Sequence, residues 1–122
     1  MIYHNQPLRI GIAGLGFGES VHIPASLSNE NIEVAGLWHP RPERLKQVCD
    51  KHNLCAYDTW SDLVNDPEIE GIIIATPPAP RFELALEAIK AGKHLLLEKP
   101  TCLDSKEVME LQINALKRNL KI

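Results

Sequence analysis

Short apolar runs alternate along the chain with segments whose apolar residues recur at helical spacing. Residues 8–13, 33–38 and 71–75 contain few polar side chains. Such runs are typical of strands that are buried on both faces of a parallel sheet. The pattern predicts five strands, which in chain order are Leu8–Ala13, Glu33–Trp38, Leu54–Tyr57, Gly71–Ala75 and His94–Leu97.

Helices are predicted between these runs. Pro24 is an unfavourable residue inside the first of them, since proline lacks the N–H that a helix interior needs. Asp104 and Glu107 have the spacing of a capping box, which predicts the start of the last helix. The predicted helices are, in chain order, one that ends near Ser28, Pro42–His52, Trp60–Val64, one around Phe82–Ile89 and one that follows Asp104.

Strands and helices that alternate with short connections imply a parallel sheet with right-handed crossovers. The predicted fold class is therefore α/β: a doubly wound Rossmann-like parallel sheet of about five strands, with helices on both faces. In such a sheet a ligand binds in the crevice at the carboxyl ends of the strands. With 122 residues, the chain has the length of one domain and is too short for two.

Composition narrows the classes of function. The net charge is -3 and no basic stripe is present, so we expect no nucleic-acid partner. No apolar run approaches the roughly 20 residues of a membrane helix, and three irregularly spaced cysteines predict a reducing, cytoplasmic location rather than a disulfide framework. Cys49, His52 and Cys55 lack a fourth ligand at suitable spacing, so no metal site is expected.

A glycine-rich turn joins the first strand to the first helix. In this context, which a dinucleotide fingerprint requires, Gly14 would permit the tight turn and Gly16 would let a pyrophosphate approach the backbone and the helix N-terminus. Phe17 and Gly18 belong to the same turn. The third fingerprint position holds Glu19, and we expect this carboxylate to point away from the phosphates. Taken alone, the turn also fits a strand–turn–helix connection that binds no ligand.

Four longer motifs add to this turn. They are Gly11–Gly16 with His22 after it, Trp60–Leu63, Asp66–Pro77 and Ala91–Pro100. Together they resemble the N-terminal domain of the Gfo/Idh/MocA oxidoreductases, the glucose–fructose oxidoreductase and inositol dehydrogenase family, from Leu8 to about Leu111. The resemblance implies an NAD(P)-dependent enzyme that transfers hydride between the cofactor and a sugar, a polyol or a related small hydroxy compound.

The resemblance also implies roles for individual residues. Lys99 is the implied catalytic residue, because an ammonium at the end of a parallel strand can stabilise charge on a substrate oxygen or move a proton. By position alone Lys99 also fits a surface lysine. His22 matches a family position but fits a packing role equally, and Arg81 stands where many members have a histidine, so no role is carried to it. Besides the glycine turn, the implied cofactor-binding residues are Thr76, Pro77, Pro78, Glu98, Lys99 and Pro100.

The end of the second predicted strand bears on the choice of cofactor. NAD-binding domains place an acidic residue there, whereas this strand is followed by His39, Pro40 and Arg41. Arg41 and Arg44 can grip a 2′-phosphate through paired hydrogen bonds, which favours NADP over NAD. In the alternative, both arginines are solvated and His39 contacts the adenosine of either cofactor.

Family members have two domains, and the second supplies most substrate contacts. We therefore expect residues 1–122 to form the NAD(P)-binding Rossmann domain alone, without the C-terminal substrate domain, and to bind a nicotinamide dinucleotide weakly without turnover. Leu116, Leu120 and Ile122 have no evident partner, which predicts self-association as a homo-oligomer. The alternative is a stand-alone nucleotide-binding or assembly module, which would not need the turn at residues 98–100.

Overall fold

Four parallel strands form the sheet over residues 6–122, the part of the chain that the computed structural model describes. Their order in the sheet is β2-β1-β3-β4, so the chain moves to one edge and then crosses back past β1. This reversal is the switch point at which doubly wound sheets bind ligands. The strands are β1 (Leu8–Ala13), β2 (Ile32–Trp38), β3 (Gly71–Ile74) and β4 (His94–Leu97).

Helices cover both faces of the sheet, as the alternating pattern predicts. The last helix begins at the predicted capping box, since the Asp104 side chain accepts a hydrogen bond from the Glu107 N–H at 2.9 Å. The helices are α1 (Ile23–Leu27), α2 (Pro42–His52), α3 (Trp60–Val64), α4 (Pro78–Lys90) and α5 (Ser105–Lys117).

The two hydrophobic cores follow from the period-two geometry of the central strands. Ile10 and Ile12 of β1 point to the face that α1 and α2 cover, where they pack with Leu37 and Val48. Ala13 belongs to the opposite core, which α3, α4 and α5 complete. The sheet is thus buried on both faces, which explains why the strands read as nearly continuous apolar runs.

The predicted strand at residues 54–57 is wrong, and the sheet has four strands rather than about five. Only one bridge, between Leu37 and Ala56, joins this segment to β2 within the described chain. The Leu37 N–H donates to the Cys55 carbonyl at 2.9 Å, and the Tyr57 N–H donates to the Leu37 carbonyl at 2.8 Å. The segment lies at the sheet edge and pairs at this one residue, because the chain then bends at Asp58 and Thr59 into α3 instead of continuing beside β2.

The first helix begins in an unusual form. Gly18–His22 is a π-helical turn, and the Ile23 N–H donates to the Gly18 carbonyl five residues back. The α-helical part starts only at Ile23, which puts Pro24 in its first turn. Proline is tolerated in a first turn because its missing N–H would be unpaired there. The π-type hydrogen bonding over residues 18–22 therefore places Pro24 where the helix tolerates it.

The sequence predicts an uncovered apolar surface at the C-terminal end of α5 and after it, and the structure shows this only in part. Leu120 packs against the core, so the expectation that it lacks a partner is wrong. Leu116 is 70% exposed and Ile122 is 50% exposed, so self-association stays a prediction. None of the described helices is long and apolar enough to cross a membrane. Cys49, Cys55 and Cys102 carry free thiols.

Candidate functional site

A cleft of about 690 Å³ opens where the carboxyl ends of the strands meet. This volume is within the range of pockets that hold small ligands and cofactors. The glycine turn after β1 forms one wall, and the segments after β3 and β4 form the other. The lining residues are Gly14, Leu15, Gly16, Phe17, Ser20, Trp38, His39, Pro40, Ala75, Thr76, Pro77, Pro78, Pro80, Arg81, Leu84, Glu98 and Lys99.

Most of the residues that the sequence nominates for cofactor binding therefore lie in one place. Those that line the cleft are Gly14, Gly16, Phe17, His39, Thr76, Pro77, Pro78, Glu98 and Lys99. Gly18, Arg41, Arg44 and Pro100 do not line it. Arg41 and Arg44 instead border a separate shallow depression beside the start of α2, together with Glu43 and Gln47.

The three glycines of the turn differ in what a Cβ atom would meet at each position. Gly14 has a φ of +90°, and a Cβ there would lie 2.5 Å from the Thr76 nitrogen. A Cβ at Gly16 would meet no atom within 4 Å, so this glycine faces open space in the cleft. A Cβ at Gly18 would make ordinary contacts at 3.4 Å or more, with Ile12 as the nearest neighbour. Gly14 is thus required for the fold, whereas Gly16 leaves room for a ligand.

Glu19 points towards α2 and does not line the cleft, in agreement with the expectation that it points away from the phosphates. Its carboxylate contacts Arg44 at 2.7 Å, His52 at 3.1 Å and Lys51 at 3.6 Å. Burial alone would raise the pKa of Glu19, but the hydrogen bonds from His52 and Arg44 and the nearby positive charges bring it below its ordinary value. Arg44 also donates to the Leu15 carbonyl at 3.0 Å. Arg44 therefore holds the glycine turn against α2.

His39 and Arg41 follow β2, and only His39 lines the cleft. The Arg41 backbone N–H donates to His39 Nδ1 at 3.0 Å. Burial and the positive charge of Arg41 lower the pKa of His39. Within the described chain, no hydrogen bond or ion pair involves the Arg41 side chain, which is exposed. Arg41 thus differs from Arg44, whose guanidinium is already paired.

The turn after β4 carries the second group of polar residues. Glu98 Oε1 lies 2.7 Å from His22 Nε2, and its other oxygen accepts from the Lys99 N–H at 3.1 Å. The hydrogen bond from His22 lowers the pKa of Glu98. His22 thereby links the first helix to this turn across the end of the sheet. Lys99 is exposed and borders the cleft.

Arg81 is the functional candidate that the sequence left without a role. It is 2% exposed, yet it lines the base of the cleft. Its guanidinium donates to the carbonyls of Thr76, Glu98 and Pro100. Burial lowers the pKa of Arg81. The replacement of the family's usual histidine was the signal that could have identified it.

The lining of the cleft fits a dinucleotide. Gly16 offers open backbone, which a pyrophosphate can approach at the start of the π-helical turn. The Thr76 hydroxyl is buried and has no hydrogen-bond partner among the described residues, so a ligand group could satisfy it. Phe17, Trp38 and the prolines after β3 supply apolar surface for flat rings.

Comparisons with known proteins identify the family of the chain. Residues 8–122 match the family model described as "Oxidoreductase family, NAD-binding Rossmann fold" for Gfo/Idh/MocA proteins. An uncharacterized oxidoreductase of Synechocystis is 34% identical over 116 residues, which are 94% of this chain and 31% of that protein. The inositol 2-dehydrogenase/D-chiro-inositol 3-dehydrogenase of Lactiplantibacillus plantarum is 32% identical over 106 residues, which are 84% of this chain and 30% of that protein.

A solved structure supports the same relationship. The NAD-binding protein from Listeria innocua superposes with a TM-score of 0.88 at 27% identity, covering 95% of this chain and 34% of that one. The chain thus spans about a third of the length of the proteins that it matches. It belongs to the Gfo/Idh/MocA oxidoreductases, and residues 8–122 are the NAD-binding Rossmann domain of that family.

Proposed function

We propose that this domain holds a nicotinamide dinucleotide for hydride transfer to or from a sugar, a polyol or a related small hydroxy compound. The observation that carries the proposal is the meeting of Gly16 and Lys99 in one cleft. One side of the cleft offers open backbone for phosphates, and the other offers a cation at the end of β4. A site that only binds nucleotides would not need the second feature.

Each wall of the cleft would have a distinct task. The Gly14–Gly16 turn would bind the pyrophosphate, and Thr76 with the following prolines would orient the nicotinamide half. A bound nicotinamide ring would supply the hydride donor or acceptor. Lys99 would hold negative charge on the substrate oxygen, or move its proton, through the Nζ atom. The Glu98–His22 contact would keep the Glu98 carboxylate away from that ammonium.

Substrate choice would come from a part of the protein outside residues 1–122. The domain division follows the family resemblance and the one-third coverage of the relatives. A polyol is a suitable substrate class, because the relative from Lactiplantibacillus plantarum is named an inositol dehydrogenase. On this account the 122 residues alone bind the dinucleotide without turning over a substrate.

The role of Lys99 is tested by Lys99→Met in a protein that contains this domain together with a substrate domain. We expect turnover to fall by on the order of a hundredfold, because one charge-stabilising donor is lost. Cofactor affinity and thermal stability should stay close to wild type, since Lys99 is exposed. The exposed Lys90→Met on α4 is the matched control. Unchanged turnover in Lys99→Met would remove this residue from the chemistry.

We also propose that NADP is preferred over NAD, with Arg41 as the discriminating residue. Arg41 stands three residues after β2, and its backbone N–H donates to His39, which lines the cleft. Its exposed side chain borders the separate depression at the start of α2 and is free of ion pairs within the described chain. A second cation, Arg44, is held by Glu19 at 2.7 Å, so we now assign 2′-phosphate recognition mainly to Arg41. No acidic residue stands at the end of β2 to repel that phosphate.

The cofactor preference is tested by dissociation constants for NADPH and NADH, measured on wild type and on Arg41→Ala. We expect wild type to bind NADPH more tightly and the variant to lose about tenfold in NADPH affinity, equivalent to one charged hydrogen bond. NADH affinity should not change. Arg118→Ala, an exposed arginine after α5, serves as the control. Equal or tighter binding of NADH by wild type would overturn the preference.

A further inference from the structure

Two buried cations tie the neighbouring strands β3 and β4 together at opposite ends. Lys93 stands just before β4 and is 5% exposed. Its Nζ donates to the carbonyls of Asp66 and Ile69, which precede β3, at 2.7 Å each. Arg81 has the equivalent role at the carboxyl ends, where it joins Thr76, the second residue after β3, to the turn after β4. Only the Arg81 end faces the cleft.

The Arg81 contacts enclose the candidate catalytic residue. Glu98 and Pro100 stand on either side of Lys99, and the carbonyls of both accept from one nitrogen of the guanidinium. The other nitrogen donates to the Thr76 carbonyl. One rigid, planar group thus fixes the backbone on both sides of Lys99 relative to the wall formed by Thr76. A lysine ammonium is a point charge on a flexible stem and cannot reproduce this fork.

We infer that Arg81 is a positioning residue, which sets where Lys99 and the turn around it stand against the bound cofactor. The expected effect of Arg81 on cofactor binding rests on the proposed function. Its effect on the backbone around Lys99 does not depend on that proposal. Burying an arginine without a carboxylate on its nitrogens is costly unless its donors are satisfied. Here the carbonyls of Thr76, Glu98 and Pro100 accept from its two terminal nitrogens, whereas its Nε has no partner among the described residues. Removing the side chain would therefore take a donor away from these three carbonyls.

A comparison with Lys93 distinguishes a positioning role of Arg81 from a merely structural one. Both cations are buried and both donate to backbone carbonyls of the same strand pair, so truncating either should destabilise the fold comparably. A structural role predicts that Arg81→Met and Lys93→Met have the same effect on cofactor binding. Positioning predicts that Arg81→Met alone affects the cleft. Arg81→Lys tests whether the planar guanidinium is required, because lysine keeps a buried positive charge without that geometry.

The experiment compares wild type, Arg81→Met, Arg81→Lys and Lys93→Met in the 122-residue chain. Thermal unfolding, amide hydrogen exchange and titration with NADPH are measured on each. We expect faster exchange at residues 98–102 in both Arg81 variants and not in Lys93→Met. We also expect NADPH affinity to fall about tenfold in the Arg81 variants, which corresponds to one lost positioned interaction. Lys93→Met should bind NADPH as wild type does.

The experiment distinguishes failure of the Arg81 inference from failure of the proposed function. If wild type shows no NADPH binding, the proposed function fails, and exchange at residues 98–102 still decides whether Arg81 holds the turn. Unchanged exchange there, or equal loss of affinity in Arg81→Met and Lys93→Met, would overturn the inference. Full recovery of affinity and protection in Arg81→Lys would also contradict it. If Arg81→Met does not fold, the same comparison is made with Arg81→Lys.

Discussion

At the scale of single residues, the tight backbone turn at Gly14 and the open space at Gly16 could be predicted from the motif, whereas the side-chain contacts around the turn could not. The motif assigns Gly14 to the tight turn and Gly16 to the phosphate approach, and both line the cleft. The ion pair between Glu19 and Arg44 joins residues 25 positions apart, and no local pattern reveals such a contact. The same holds for Arg81, whose acceptors lie up to 20 positions away. The sequence therefore points to residues that belong to a local motif. It does not reveal residues whose role depends on contacts with partners far away along the chain.

Alanine should destabilise the fold at Gly14 and change its stability little at Gly18. Gly14→Ala combines a positive φ with overlap on the Thr76 backbone, and we expect it to lower the free energy of unfolding by about 2 kcal/mol or more. Gly18→Ala adds a methyl group at ordinary contact distances, so its stability should stay within about 1 kcal/mol of wild type. Urea unfolding of both variants measures the difference. Equal stability of the two would show that the turn is not constrained as described.

At the scale of elements, hydrophobic patterning predicted most helices and strands, and it failed where tertiary contacts decide. Leu54–Tyr57 has the apolar character of a strand, yet it pairs with β2 at one residue. Tyr57 fixes this edge segment instead, because its hydroxyl donates to Asp66 at 2.6 Å. Burial and this hydrogen bond raise the pKa of Tyr57 to about 12, and the same hydrogen bond lowers the pKa of Asp66.

The Tyr57–Asp66 contact should stabilise the sheet edge over a defined pH window. Tyr57→Phe should lower the free energy of unfolding by about 2 kcal/mol at neutral pH, as expected for a hydrogen bond to a charged group. The pKa of Asp66 is depressed in the folded state, so the contribution is lost as pH falls below the ordinary value of 3.8. The raised pKa of Tyr57 means that it is also lost as pH rises above the ordinary value of 10.0.

Urea unfolding of wild type and Tyr57→Phe between about pH 2 and pH 12 measures both edges of this window. The difference between the two proteins should be constant near neutrality and should shrink towards acid. Asp66→Asn is the control, because it keeps an acceptor but cannot titrate. A difference that stays constant down to the most acid pH would contradict the assignment of the effect to the Asp66 carboxylate.

At the scale of the whole molecule, the order of strands and helices predicted the fold class, and the sheet order places the cleft at the switch point. The motifs at its two walls, Gly14–Gly16 and Glu98–Pro100, are more than 80 positions apart in sequence. Only the parallel sheet brings them together, since the carboxyl ends of parallel strands share one edge. This convergence is the basis for regarding the chain as a dinucleotide-binding domain.

Calorimetric titration of the 122-residue chain with NADPH tests that claim most directly, with Gly16→Ala as the matched variant. We expect wild type to bind with a dissociation constant of roughly 1 mM or somewhat below, because on the proposed domain division part of the enclosure around the cofactor would come from outside these residues. Gly16→Ala should fold as wild type does, since its methyl group meets no protein atom, and should bind about tenfold more weakly. Absence of heat and of any thermal shift at millimolar NADPH and NADH, in a folded wild-type sample, would contradict the account.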